Sequence, residues 1–254
     1  MLPSHIKYQI KNRFKNAFFL LVIALLAFNY NANTCAAEQP EKSAALPQGA
    51  LYSPAKNSRV AVILFHSRNG HPADSFNAYL HREINQQLGY HTLALKLPNE
   101  NIIWYEYEKF FPDVLKMTHQ AITFLMQQHK VTKIYFVARG MGVRFASAYL
   151  AHYDAGPVAG FVGITMRNRG MGNLNPVANL LAMTHKIPVL DIFGNAGKIK
   201  YEHHADERLM IFSKITNYTQ VSIPNAGSAF KRHRQELMYI LSRWLMARTN
   251  QTYH

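Results

Sequence analysis

Lys133-Ile134-Tyr135-Phe136-Val137-Ala138-Arg139-Gly140-Met141-Gly142-Val143-Arg144 decides the fold. Ile134 to Val137 is a run of bulky apolar residues with β-branched and aromatic members, the pattern of a strand buried on both faces. Glycines at 140 and 142 then bracket Met141, and Met141 to His152 reads as a helix. A buried strand that turns through glycines directly into a helix is half of a crossover, and parallel strands require crossovers.

The same unit recurs along the chain. Val60–Phe65, His91–Leu95, Val158–Ile164, Pro188–Phe193 and Thr219–Ile223 are further short apolar runs. Helical segments lie between them: Asp74, a capping residue, opens one that runs to Leu88 and stops at Gly89. Phe110–Gln128, Pro176–His185, Glu202–Lys214 and Arg232–Ala247 are the others. Six strands alternating with helices predict an α/β three-layer sandwich, with a mostly parallel, doubly wound sheet of six or more strands. Ligands of such sheets bind beyond the carboxyl ends of the strands, where strand order reverses. The segments to inspect are therefore 66–72, 97–107, 138–142, 165–173, 194–200 and 224–231.

The amino-terminal region belongs to a different regime. Lys7, Lys11, Arg13 and Lys15 precede an unbroken apolar run from Ala17 to Phe28, which is shorter than the roughly 20 residues that span a bilayer. Small residues follow at Cys35-Ala36-Ala37. This order predicts a cleaved signal peptide over 1–37, an exposed lead-in over 38–58 rich in proline and small residues, and one domain over 59–249. Lipid attachment at Cys35 is disfavoured by Asn33-Thr34, which departs from the small and aliphatic residues such a site prefers. The expected compartment is periplasmic or secreted, with peripheral membrane contact at most. Cys35 is the one cysteine of the chain, so an exported product cleaved after Ala37 holds no disulfide and relies on its core.

Lys and Arg number 28 against 14 Asp and Glu, and only basic residues precede Glu38. A basic exported chain favours an anionic small molecule, a lipid head group or an acidic envelope protein. Nucleic acid is excluded as the expected partner, because export removes it and no nucleic-acid motif is present.

Leu64-Phe65-His66 with Gly70-His71-Pro72, Leu88 to Leu95 with Leu97-Pro98, and Ala138-Arg139-Gly140-Met141-Gly142 leading into a helix together carry a resemblance. The chain resembles the α/β-hydrolase superfamily over about its whole mature length, and within it a family of bacterial envelope proteins of unknown function. The resemblance implies a nucleophile elbow, Gly-x-Ser-x-Gly, at 138–142, with an acid and a histidine after later strands. Here Gly140 stands at the nucleophile position, Gly197 at the acid position and Ser228 at the histidine position. All three members of the standard triad are replaced, and with the nucleophile goes covalent acyl transfer.

Two functions follow as expectations. The first is a non-catalytic binding or interaction protein of the cell envelope whose crevice holds an anionic group, without a cofactor or metal. Its ligand-binding residues are Arg68, Arg139, Gly140, Met141, Gly142, Arg167, Arg169 and Lys198, with Arg144 one turn into the helix. The start of that helix adds unpaired N–H groups and a positive dipole end. The second is an esterase or related hydrolase with relocated residues: Ser67 as nucleophile, His71, His203, His204 or His233 as base, and Asp191 as acid. The cluster His203-His204-Ala205-Asp206-Glu207 reads as a polar helix face rather than a metal site, because adjacent histidines point to different sides. Trp104, Tyr105, Tyr107, Phe110 and Phe111 form an aromatic run placed to pack the start of a long helix or to wall a pocket.

Overall fold

Seven strands follow one another along the chain. They are β1 (Leu51–Ser53), β2 (Val60–Phe65), β3 (His91–Leu95), β4 (Lys133–Arg139), β5 (Val158–Ile164), β6 (Val189–Gly194) and β7 (Tyr218–Ile223). Five of them, β2 to β6, are buried along nearly their whole length, as their apolar runs require. The computed structural model describes residues 44–153, 156–196 and 199–250, and the leader expected over 1–37 lies outside them. The strands form one sheet in the order β1-β3-β2-β4-β5-β6-β7. β1 runs antiparallel to β3, and every other pairing is parallel.

The helices are α1 (Ser75–Leu88), α2 (Phe111–His129), α3 (Met141–His152), α4 (Pro176–Thr184), α5 (Ile199–Phe212) and α6 (Arg234–Thr249), with 3-10 turns at Trp104–Phe110 and Gly172–Leu174. Alternation along the strands divides the core. Ala61, Ile63 and Phe65 face one layer, built on α2, α3 and α4. Val62 and Leu64 face the other, built on α1 and α6. No helix among the described residues is long and apolar enough to cross a membrane.

Local chemistry sets the helix ends. The Asp74 carboxylate accepts from the N–H groups of Phe76 and Asn77, both at 2.9 Å, and so caps α1. Gly89 closes the same helix in the left-handed region at φ 64°.

One element departs from the sequence reading. Leu51–Ser53, inside the expected exposed lead-in, pairs with β3 as an edge strand. Three residues are too few to show a period, and what holds them is non-local. Tyr52 stacks on the His91 ring and donates its hydroxyl proton to His91 Nδ1 at 2.7 Å.

The fold positions a crevice. β3 lies on one side of β2 and β4 on the other, so the chain reverses its direction of travel across the sheet at β2. The loops leaving β2 and β4 therefore border the switch point, where α/β sheets bind their ligands.

Two buried histidines brace these loops as neutral rings. Leu97 N–H donates to His66 Nε2 at 3.0 Å, so the ring proton sits on Nδ1 and is donated to the Ser67 carbonyl at 2.8 Å. His91 uses the opposite tautomer: Nδ1 accepts from Tyr52 and from Ala55 N–H, and Nε2 donates to the Ser58 carbonyl. Burial pushes both pKa values below 6.5.

The unfolded chain therefore takes up protons that the folded chain refuses, and stability falls with acidification. The contribution of the neutral rings is complete above the ordinary histidine range and is lost as pH drops below it. The urea midpoint is expected to decrease from about pH 7.5 to about pH 5. His66→Phe leaves Leu97 N–H without a partner and should cost about 1–3 kcal/mol at neutral pH, while flattening the slope. A midpoint that is flat or rises on acidification in the native protein contradicts this account.

Candidate functional site

Gly140 joins β4 to α3 with φ 55° and ψ −112°. A residue with a side chain is strained by about 1–3 kcal/mol in such a region, and glycine is not. A side chain at 140 would also meet Ser67, whose Oγ lies where that Cβ would project. Gly142 is required for a second reason. A Cβ there would run into the carbonyls of Phe65 and His66, so glycine lets α3 start directly against the end of β2.

Above this junction opens a cavity of about 480 Å³. Ser67, Arg68 and Asn69 line it from the loop after β2, and Arg139, Gly140, Met141 and Arg144 from the end of β4 and the start of α3. Thr165, Arg167 and Arg169 come from the loop after β5, Ser228 from the loop after β7, and Trp104 from the 3-10 turn. Five of these residues are arginines, and none is acidic.

Arg68, Arg139 and Arg144 are each held differently. Arg68 donates to the Ile102 carbonyl at 3.2 Å. Arg139 donates to the Ser228 carbonyl at 3.1 Å and lies 4.4 Å from the Phe76 ring centre. It also helps to hold the Asp74 carboxyl below its ordinary value. Burial opposes that ionisation, but hydrogen bonds from Asn77, His71 and Phe76 N–H, with the Arg139 charge, outweigh it. Arg144 is the most enclosed, at 6 % exposure, with its guanidinium 4.4 Å from the Trp104 ring centre. Its Nη1 has no hydrogen-bond partner among the described residues. Burial, with the charges of Arg167 and Arg68 nearby, lowers its pKa to about 10.

Thr165 adds backbone strain to the wall. This β-branched residue sits at φ 54°, where such side chains are rare. Its N–H donates to the Ile192 carbonyl at 2.8 Å and its hydroxyl to the Ser228 carbonyl at 3.4 Å.

A buried polar network behind the cavity fixes the loop of Arg167 and Arg169. Arg208 of α5 makes a two-pronged pair with Asp191 of β6, at 2.8 and 3.1 Å. Tyr218 donates to the same carboxylate at 2.6 Å and Gln220 at 2.9 Å. The remaining arm of Arg208 reaches the Met166 carbonyl at 3.1 Å and Asn168 Oδ1 at 2.7 Å. Asn168 therefore anchors the segment between the two cavity arginines. Burial, and then the facing Asp191 carboxylate, push the Tyr218 pKa far up, so its phenol remains a donor.

The expected ligand-binding residues are largely brought together. Arg68, Arg139, Gly140, Met141, Arg167 and Arg169 line the cavity, and Gly142 lies beneath it as the close-approach residue. Lys198 and Gly197 fall outside the described residues. Trp104 joins the wall, as the aromatic run suggested, whereas Tyr107 is buried and donates to the Glu100 carbonyl. Thr165 and Asn69 were not singled out by the sequence, because a left-handed backbone at a threonine leaves no mark in composition.

The relocated hydrolase set is not assembled. No His, Asp or Glu among the described residues lines the cavity or hydrogen-bonds Ser67 Oγ or Ser228 Oγ. His66 lies beside Ser67 but spends both ring nitrogens on backbone groups. His71 Nδ1 accepts from Ala73 N–H. His203 and His204 pair with Glu207 on α5, at 3.0 and 3.5 Å. His233 lines a separate depression at the start of α6. Asp191, the candidate acid, is fully buried in its strand and neutralised by Arg208. No group of three or more His, Cys, Asp or Glu suited to a metal ion occurs among the described residues.

Comparison with known proteins places this geometry. No family model and no curated protein matches the sequence. Solved structures do match. Dienelactone hydrolase from Anabaena variabilis aligns at a TM-score of 0.60 with 19% identity, covering 81% of this chain and 95% of its own. XC6422 from Xanthomonas campestris, an α/β serine hydrolase without lid, aligns at 0.60 with 13% identity over 80% of this chain and 90% of its own. Est1E from Butyrivibrio proteoclasticus, solved with ferulic acid bound, aligns at 0.58 with 13% identity over 80% and 95%. The chain has the α/β-hydrolase fold.

Two substitutions test the site's construction. Asp191→Asn strands the Arg208 charge in the core and should destabilise the protein by about 3–5 kcal/mol in urea denaturation. A change under about 1 kcal/mol would be that of an exposed pair and would remove the network from its positioning role. Gly140→Ala should cost about 1–3 kcal/mol from its dihedrals alone, with a further loss from the contact with Ser67. Pairing it with Ser67→Gly should recover only the steric part. Strict additivity of the two changes would show that Ser67 does not occupy the side-chain path at 140.

Proposed function

We propose that this chain is a non-catalytic α/β-hydrolase-fold protein, exported to the cell envelope, whose crevice binds an anionic group. One observation carries the reading: a cavity at the switch point lined by five arginines without an acidic residue, one of them buried with an unpartnered Nη1. Buried cations are normally neutralised, and one left unpaired is strongly destabilising. An anion entering the cavity supplies the missing partner. The size of about 480 Å³ suits a small molecule or the head group of a lipid. The basic excess of the chain supports the same choice of partner.

Glycine at 140 and, among the described residues, the lack of a base hydrogen-bonded to Ser67 Oγ argue against acyl transfer, which needs a nucleophile hydrogen-bonded to a base. The solved structures of the same fold include named hydrolases, so turnover is the competing outcome and is measured directly. The purified protein should leave p-nitrophenyl acetate and butyrate at the buffer rate, and Ser67→Ala and Ser228→Ala should change nothing. Turnover that depends on either serine replaces the binding reading with the hydrolase one.

Binding itself is read by thermal shift. A saturating phosphorylated or carboxylated ligand, at 100 times its Kd, should stabilise the protein by about 2.7 kcal/mol. For a domain of this size that is a rise of about 2–4 °C per kcal/mol. Added salt should diminish the rise, because screening weakens charge pairing. If no anion shifts the transition, the reading fails.

A further inference from the structure

We propose, resting on the anion-binding reading above, that the ligand's anionic group is a phosphomonoester held between the Arg144 guanidinium and the first turn of α3. Three independent features converge on that chemistry.

The first is the orphaned donor. Arg144 is buried, Trp104 covers its guanidinium, and Nη1 lacks a partner while the residue lines the cavity. A hydrogen bond from a charged donor to an anionic oxygen is among the stronger ones available in a protein. The second is the number of charges. A carboxylate carries one charge and two coplanar oxygens, which a single guanidinium fork satisfies. Arg68, Arg139, Arg144, Arg167 and Arg169 line the cavity, and the Asp74 carboxylate, which acts on Arg139, lies outside its lining. A phosphomonoester carries about −1.5 to −2 charges at pH 7 and three acceptor oxygens, so it takes one fork and further donors together. The third is the start of α3, a helix running from Met141 to His152, whose N-cap is Gly140 and which has no side-chain cap. Its first N–H groups are unpaired within the helix and carry the positive dipole end, and tetrahedral oxyanions fit such a site.

Trp104 and Met141 supply apolar wall beside these donors, and the cavity is larger than the phosphate alone requires. An ester with an organic body fits this space better than inorganic phosphate. That body belongs either to a soluble metabolite or to a lipid with a terminal phosphate, and both present the same group.

A matched series tests the choice: phenyl phosphate, phenyl sulfate and benzoate at one ionic strength, titrated into the full-length protein by calorimetry. Trp104 provides a fluorescence signal, assigned with Trp104→Phe, because the only other tryptophan, Trp244, is buried on α6 across the sheet. Phenyl phosphate should bind at least about tenfold more tightly than the two monoanions. Its affinity should fall as pH drops through the ester's second ionisation near about 6. Arg144→Met should weaken binding by about tenfold or more. Arg68→Gln, at an exposed position on the cavity rim, should weaken it less.

Glycerol 3-phosphate and phosphatidic acid in phosphatidylcholine vesicles separate the sources. Vesicle sedimentation that glycerol 3-phosphate competes away supports the lipid source, and soluble binding without sedimentation supports the metabolite. Equal affinity for benzoate or phenyl sulfate overturns the phosphomonoester and leaves an anion site. Absence of binding by all three phenyl compounds overturns both.

Discussion

The buried pair between Asp191 and Arg208 ties together the parts that must stay in register for the crevice to exist. Asp191 lies mid-strand in β6 and receives Arg208 from α5 and Tyr218 and Gln220 from β7. Arg208 then extends to Met166 and Asn168, in the loop after β5. One carboxylate and one guanidinium thus join a strand, a helix and a cavity loop. Against well-packed apolar residues of the same volume, such a pair is often neutral or even unfavourable for stability. What the pair provides is direction: its fixed fork allows one arrangement of three segments, whereas an apolar contact would tolerate sliding. Arg167 and Arg169 flank the anchored Asn168, so the position of two cavity charges is set from the core.

The cavity is electrostatically costly to maintain, and that cost has a location. Five guanidinium groups line one space, and Arg144 is pressed toward neutrality by burial and by its neighbours Arg167 and Arg68. Stacking on Trp104 offsets part of this, since an aromatic face attracts a cation. Thr165 adds a left-handed backbone on the same wall. Backbone strain at Thr165 and like charge thus meet around one hollow.

The sheet and its helices were legible because buried parallel strands leave contiguous apolar runs, and Asp74 and Gly89 mark helix ends with chemistry visible in one residue. The edge strand Leu51–Ser53 was not legible, since its stability lies in Tyr52 meeting His91 across the chain. For the site, the arginines of the loops after β2, β4 and β5 could be named in advance because topology alone sends those loops to the switch point. Their burial could not. Arg144 and Arg169 read alike as letters, yet only Arg144 is enclosed against an aromatic ring. The role of Asp191 was likewise open, because a mid-strand acid is either partnered or reactive, and its partner Arg208 is 17 residues away in sequence.

Gly140 gives these features a common logic. A hydrolase frame concentrates helix-dipole charge and unpaired N–H groups where negative charge develops in a reaction, and such preorganised dipoles act strongly because they need not reorient. With a serine at the elbow that field serves a passing intermediate. With glycine there, Ser67 of the neighbouring loop settles into the space a nucleophile's side chain would take, and the elbow closes on itself. The positive field above it comes from the helix start and needs no side chain at 140. The cavity arginines add further positive charge to that field. Ser67 across the side-chain path at 140, the start of α3, the buried Arg144 and four less enclosed arginines thus converge on one positive hollow beyond the ends of the strands.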